Sequence, residues 1–307
     1  MLKSSQSRMK KSFSRIALVG KVEDARVADS LALLATHLRA RGLSVSVDRD
    51  AVIEGLPQGL LRRPLSELGE EVDLIVAIGG DGTMLFAAQL ALARGVPLLG
   101  VNRGRLGFLT DVLPDDMIAS VDDVLGGRYE TDRRDLLAAS LAPADGAALT
   151  YRALNDVVVQ RQESGRMVEL EIWIDGSIVN THGGDGLVVA SSTGSTAYAL
   201  SCGGPIIHPS LDAVVIAPIS PHTLSDRPIV VQRASRFEIR LVMRSGARAQ
   251  VTCDGVPLGD LEPTSRLAIG PAAESITLLH PQGHDYFRLL RSKLHWGRSG
   301  RSGGEEY

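Results

Sequence analysis

Between Ile16 and Asp111, short apolar runs alternate with stripes of helical spacing, the pattern of β-α-β units wound around a parallel sheet. Ile16 to Val19 reads as a strand. Ala28, Leu31, Ala35 and Leu38 then recur three or four residues apart, the buried stripe of a helix that Gly42 stops. Ser44 to Val47 is the next strand. Val72 to Ile78 is apolar almost throughout, as a strand is when helices cover both faces of its sheet. It runs directly into Gly79-Gly80-Asp81-Gly82-Thr83. Met84, Leu85, Ala88, Ala91 and Leu92 form a second helical stripe, and Pro97 to Val101 returns as a strand. The pattern predicts an N-terminal α/β domain over 16–126, built on a doubly wound, Rossmann-like parallel sheet.

Beyond Tyr129 the period falls to two. Leu170, Ile172 and Ile174 alternate with Glu169, Glu171 and Trp173 ahead of the hairpin pair Asp175-Gly176. Phe237, Ile239 and Leu241 alternate with Glu238 and Arg240, and Val251-Thr252-Cys253 precedes a second such pair, Asp254-Gly255. A C-terminal all-β, sandwich-like domain is expected over 127–283. Phe287, Leu290 and Leu294 recover helical spacing, so a final helix within 284–296 is expected to pack back on the first domain. The stretch 1–15 is rich in Ser, Lys and Arg but lacks the apolar core of a secretory signal. It reads as a disordered tail, although an organelle transit peptide has the same composition. The Gly/Ser-rich stretch 297–307 is too weakly apolar to offset its ordering entropy and reads as a second disordered tail.

At 307 residues, with 44% apolar and 22% charged positions, the chain has room for two domains with cores of their own. Its formal net charge of −3 supplies no field that gathers nucleic acid or an anionic membrane, so neither is an expected partner. An anionic substrate must be held by local dipoles and single cations. No apolar run approaches the ~20 residues that span a bilayer. Cys202 and Cys253 form neither a CxxC pair nor a disulfide framework, which suits the reducing cytoplasm, the expected location. No HExxH motif is present, so no metal site held by a protein motif is expected.

The glycine loop is the first candidate site. In an open α/β sheet, ligands bind outside the carboxyl ends of the strands, where the strand ending at Ile78 delivers this loop. Gly79, Gly80 and Gly82 let backbone amides approach a phosphate, and the helix beginning near Thr83 adds the dipole of its N-terminus. Asp81 has two readings at this point. It caps the following helix, or it serves a kinase by accepting the proton of an attacking hydroxyl or by standing near the magnesium of a nucleotide. The loop matches neither GxxxxGK[ST] nor GxGxxG, which disfavours a dehydrogenase.

The second candidate lies in the β-rich half. Asn155 and Asp156 stand at the start of a β-branched strand, where they either make an Asn-Asp turn or reach a polar ligand. Thr181 to Pro205 concentrates glycine and hydroxyl residues around one short strand, Leu187 to Ala190. Asp185 suits sugar hydroxyls, Thr193-Gly194-Ser195-Thr196 suits a tight bend around a ligand, and Tyr198 suits a base. A nucleoside pocket uses all three, and a turn-rich sandwich edge is the alternative. His208 and His222 each adjoin a proline in an apolar context and read as structural.

Together these residues resemble the NAD kinases, in order and spacing. The likeness rests on Gly79-Gly80-Asp81-Gly82-Thr83, Asn155-Asp156, Asp185-Gly186 and Thr193 to Tyr198. Cys202 to Ile206, His208 to Leu211 and Pro221 to Ser225 are similar to the bacterial branch. The resemblance implies transfer of the γ-phosphate of ATP to the 2′-hydroxyl of the adenosine ribose of NAD, giving NADP, with Asp81 as general base. It implies that Asp81, Gly82, Asn155, Asp156, Arg166, Gly183, Asp185, Thr196, Ala197, Tyr198 and Ser201 line the NAD site. It further implies Mg2+ brought with ATP and a homodimer or homotetramer. Asp156 stands where many relatives have Glu. Gly183 stands where some bacterial relatives carry an Arg linked to refusing NADH, which leaves the choice between NAD and NADH open. A diacylglycerol-type lipid kinase shares the glycine loop, and a non-catalytic dinucleotide sensor would keep the pocket without needing Asp81.

Overall fold

A computed structural model describes residues 13–104, 107–163, 167–223, 225–242 and 248–296. The chain forms two compact units. The first takes the chain through Asp132 and again from Thr277 onward; the second is Arg133–Ile276.

Unit 1 alternates β1 (Arg15–Gly20), α1 (Ala25–Ala40), β2 (Ser44–Asp48), β3 (Leu61–Arg63), β4 (Leu74–Gly79), α2 (Asp81–Leu92), β5 (Leu98–Asn102) and α3 (Met117–Leu125). Asp24 caps α1 by accepting from the Arg26 amide at 3.0 Å, and Gly42, at φ +76°, ends it. The strands are parallel in the order β3-β2-β1-β4-β5. On one face, Ile16, Leu18, Leu74, Val76, Ile78, Leu99 and Val101 pack against Leu31, Leu34 and Leu38 of α1 and Met117, Val121 and Val124 of α3. The alternate residues Ala17, Val19, Ile75, Ala77 and Leu98 are equally buried, so both faces are covered and the continuous apolar runs are explained. Strand order reverses between β1 and β4, which places the loop after β4 at the switch point where doubly wound sheets bind ligands.

Unit 2 is built from antiparallel strands: β6 (Tyr129–Ala142), β7 (Leu149–Ala153), β8 (Asp156–Arg161), β9 (Val168–Ile174), β10 (Ser177–Gly184) and β11 (Gly186–Ser191). A single turn of helix, α4 (Tyr198–Ser201), precedes β12 (Ala213–Ile219), β13 (Ile229–Gln232), β14 (Phe237–Leu241), β15 (Ala249–Cys253) and β16 (Val256–Leu261). Strands β13-β12-β11-β8-β15-β16 make one sheet; β10-β9-β14, with β6 and β7, belong to the other. Val157, Val159, Leu187, Val189 and Val251 of the first meet Leu137, Leu170, Ile172, Phe237 and Ile239 of the second in one core. This is the expected sandwich. Both hairpin pairs form turns with positive φ at each residue, Asp175 and Gly176 at +49° and +79° and Asp254 and Gly255 at +50° and +79°.

The sixteen-residue β17 (Arg266–Pro281) pairs with β14 in its first half, and its Leu278 and Leu279 pair in parallel with β5. The final helix α5 (Tyr286–Leu294) belongs to unit 1, as expected. Its buried face differs from the expected stripe: Leu289 and Leu290 are buried, whereas Phe287 is 57% exposed. Asp285 accepts from the Phe287 and Arg288 amides and so sets where the helix begins, which turns Phe287 outward.

Candidate functional site

In unit 1 the glycine loop follows from the needs of its backbone. Gly79 sits at φ +156°, and a Cβ there would overlap Thr83 Oγ1. Gly80 is the N-cap of α2, and the Thr83 and Met84 amides return to its carbonyl at 2.9 and 3.2 Å. The Asp81 and Gly82 amides therefore lack an intrahelical acceptor. Around Gly80 and Gly82 the space is open, so an anion can reach backbone there; Thr83 is buried.

The helix begins at Asp81, earlier than the spacing implied, and Asp81 is not its cap. Its carboxylate instead accepts from the Phe108 amide at 2.8 Å and the Leu109 amide at 3.0 Å. Each oxygen thus holds one amide and keeps lone-pair capacity for a further donor. Sequence reasoning missed the residues that make this clasp. A Cβ at Gly107 would overlap Asp81 Oδ1 and Thr110 Oγ1, so the segment approaches only because residue 107 is glycine. Buried Asn102 closes the same turn, donating from Nδ2 to Thr110 Oγ1 at 3.0 Å and accepting from the Gly104 amide at 2.7 Å.

In unit 2, Asn155 and Asp156 meet the Thr193 turn. The Asn155 carbonyl accepts from the Ser191 amide at 2.9 Å, and a Cβ at Gly194 would overlap that same carbonyl oxygen. The turn's hydroxyls mostly hold the turn itself. Thr193 Oγ1 accepts from buried Arg134 at 3.2 Å, Ser195 Oγ donates to the Ser192 carbonyl at 2.7 Å, and Thr196 Oγ1 donates to the Thr193 carbonyl at 3.1 Å. Ala197 leads into α4, which leaves Tyr198 and Ser201 exposed while Ala199 packs on Val188, Ala190 and Val215. His208 pairs locally with Ser210, and His222 is exposed.

The decisive addition is Asp254. Its carboxylate accepts from the Leu154, Asn155 and Asp156 amides at 2.8, 2.7 and 3.2 Å and so shapes the Asn155 loop. The Asp-Gly pair signals a hairpin in sequence, and nothing in that signal announces this second duty. Burial and then the neighbouring Asp254 push the Asp156 carboxyl up to about 7. Burial also raises Asp254, against the pull of its three amides. The Tyr198 hydroxyl is raised by burial and by the nearby Cys202, Asp185 and Asp156, which gathers these four groups around one polar patch. Asp185, between β10 and β11, pairs with Arg161 Nε at 2.6 Å. Gly183 lies on β10 opposite Glu169, with space beside it for a side chain. Arg166 lies outside the described residues.

Residues 39–129 match the model of the ATP-NAD kinase N-terminal domain, and residues 154–280 match that of the ATP-NAD kinase C-terminal domain. The chain belongs to the NAD kinase family. An NAD kinase of Thiobacillus denitrificans is 45% identical over 286 residues, which are 93% of this chain and 98% of that protein. Another, from Chromohalobacter salexigens, is 43% identical over 284 residues, covering 92% and 97%. Among solved structures, an NAD kinase from Archaeoglobus fulgidus in complex with ATP aligns with a TM-score of 0.68 at 26% identity, covering 92% of this chain and 98% of that one. Yeast NADH kinase complexed with NADH shares the fold, with a TM-score of 0.87 at 24% identity over 96% and 91% of the two chains. These NAD kinase relatives lend no support to the lipid-kinase and sensor readings.

Proposed function

We propose that this NAD kinase transfers the γ-phosphate of ATP to the adenosine 2′-hydroxyl of NAD with Asp81 as general base. The observation that carries the assignment is the Asp81 carboxylate, which two backbone amides hold in place while its helix is capped by another residue. A ribose hydroxyl is a weak nucleophile, so a fixed carboxylate that takes its proton lowers the barrier, an effect typically worth ~10²–10⁴ in rate. The open backbone at Gly80 and Gly82 and the N-terminus of α2 supply donors for phosphate oxygens. Asn155, Asp156, Gly183, Asp185, Thr196, Ala197, Tyr198 and Ser201, with Arg166, recognise the dinucleotide. Tyr198 offers a face for a base, and the acids accept from ribose hydroxyls.

Magnesium fits this chemistry as the companion of ATP, because the loop offers one carboxylate, too few ligands for a dedicated cage. When bound, the ion neutralises charge on the transferring phosphate. The working assembly is a homodimer or homotetramer acting in the cytoplasm.

Incubation of the purified protein with ATP, magnesium and NAD, with NADP read through a coupled dehydrogenase, tests the activity. Asp81→Asn is expected to lower turnover at least ~10²-fold while NAD binding persists, because a general base acts on the chemical step. Near-normal turnover by this variant would remove Asp81 from the role.

A further inference from the structure

A second cluster in unit 1 takes no part in the chemistry above. Asp111 Oδ2 contacts Nδ1 of His280 at 2.8 Å and Nδ1 of His284 at 2.6 Å. The two imidazoles stack with centroids 3.9 Å apart and 19° between their planes. His280 is 3% exposed, and the Asp111 and His284 side chains are 16% and 15% exposed. As a hydrogen-bond network the arrangement is poor. Both rings converge on one oxygen, while the other, Asp111 Oδ1, is buried among the described residues with no hydrogen-bond partner. Buried His280 Nε2 is equally unpartnered, and it approaches Asp132 Oδ2 at 3.6 Å, beyond hydrogen-bond range. Two rings stacked face to face thus share one carboxylate oxygen, with Asp132 as a further acid beside His280 only.

A cation among these three ligand atoms, all within 4.8 Å of one another, would give both rings and the carboxylate one common partner. Two neutral imidazoles and a carboxylate form a ligand set suited to zinc and its neighbours, whereas magnesium and calcium prefer oxygen alone. Ligands about 2.0–2.1 Å from a tetrahedral ion stand roughly 3.4 Å apart, so the carboxylate oxygen, now 2.8 and 2.6 Å from the two nitrogens, has to withdraw by roughly 0.6–0.8 Å from each. Asp132 is placed to orient His280 through Nε2, as outer carboxylates orient metal-bound imidazoles. Asp111 and His284 also line an open cavity of about 590 Å³, whose wall includes Asp116 and Asp123. A fourth coordination position is thereby accessible from outside.

We propose that Asp111, His280 and His284 form a binding site for one divalent transition-metal ion of the zinc class, with one coordination position open to this cavity. Bound there, the ion ties the end of β17 to the segment after β5. Asp111 lies two residues beyond Leu109, whose amide holds Asp81, so the ion braces the clasp of the proposed base from behind.

The test uses the full chain stripped by a chelator, without nucleotide, in a Cys202→Ser background that removes the half-exposed thiol; the other thiol is buried. Cobalt(II) is expected to bind one equivalent with visible d–d bands and no thiolate charge transfer, and zinc is expected to displace it. His284→Ala, and separately Asp111→Asn, should weaken zinc binding at least ~10-fold. X-ray absorption at the zinc edge of the unmutated protein should show two imidazoles and no sulfur, a readout independent of how the variants fold. Absence of saturable binding, equal affinity in both folded variants, or a zinc shell without two imidazoles would overturn the proposal.

Discussion

Asp156 and Asp254 sit side by side with unequal support, and that inequality decides which holds a proton. Asp254 collects three backbone amides, each of which favours the anion, while Asp156 is buried and its carboxyl is pushed up to about 7. Because the folded Asp156 keeps its proton to higher pH than the unfolded one, the folded state binds more protons between pH ~4 and 7, and stability declines as pH rises through that window. Asp156→Asn should therefore unfold at a higher temperature than the parent at pH 8, by the equivalent of a few kcal/mol on the order of the shift itself. Near pH 4 the advantage should vanish. Melting curves across this range check it, and an advantage independent of pH would place the proton elsewhere. A second residue-scale outcome concerns Gly183, where there is room for a side chain. The present enzyme is expected to phosphorylate NADH measurably and Gly183→Arg to reduce that rate relative to NAD, compared by parallel assays of the two substrates. Undetectable turnover of NADH by the parent would dismiss the idea.

At the scale of elements, function hangs on close backbone approaches that only glycine permits. Gly107→Ala forces the 107–110 segment away from Asp81, so kcat should fall at least ~10-fold with a smaller change in KM for NAD, because the base loses its orientation rather than the pocket its shape. Steady-state kinetics separate the two, and an unchanged kcat would show the clasp to be dispensable. Much of this scale was legible in the chain. The 72–78 run announced a strand covered on both faces, and glycines with an acid after it announced a polar turn. Gly107 was not legible, since its constraint comes from Asp81, 26 positions earlier in the chain, and no local pattern encodes such a meeting. Asp254 was hidden because a hairpin explained it already. The stripe of α5 was misjudged because several leucines satisfy helical spacing together, and the cap at Asp285 chooses among them.

On the scale of the whole molecule, sequence period alone separated an α/β region from a β-rich one, because buried parallel and half-exposed antiparallel strands leave different signatures. What it left unread was partnership across long separations: Asp111 meets residues 169 and 173 positions away. Unit 1 is consequently discontinuous, with β5 paired to Leu278 and Leu279 of β17. Ending the chain after Ile276 should expose unit 1 to limited proteolysis at temperatures where unit 2 still resists, with fragments identified by mass spectrometry; equal resistance of the two would contradict the division. The returning segment also sets an order of events during synthesis. Unit 2 must leave the ribosome before the last strand of unit 1 exists, a delay on the order of ten seconds at ~5–20 residues per second. Throughout that interval the nascent sheet carries β5 as an open edge, and Asp111 waits without either histidine, so this is when that edge is most exposed to pairing with another chain.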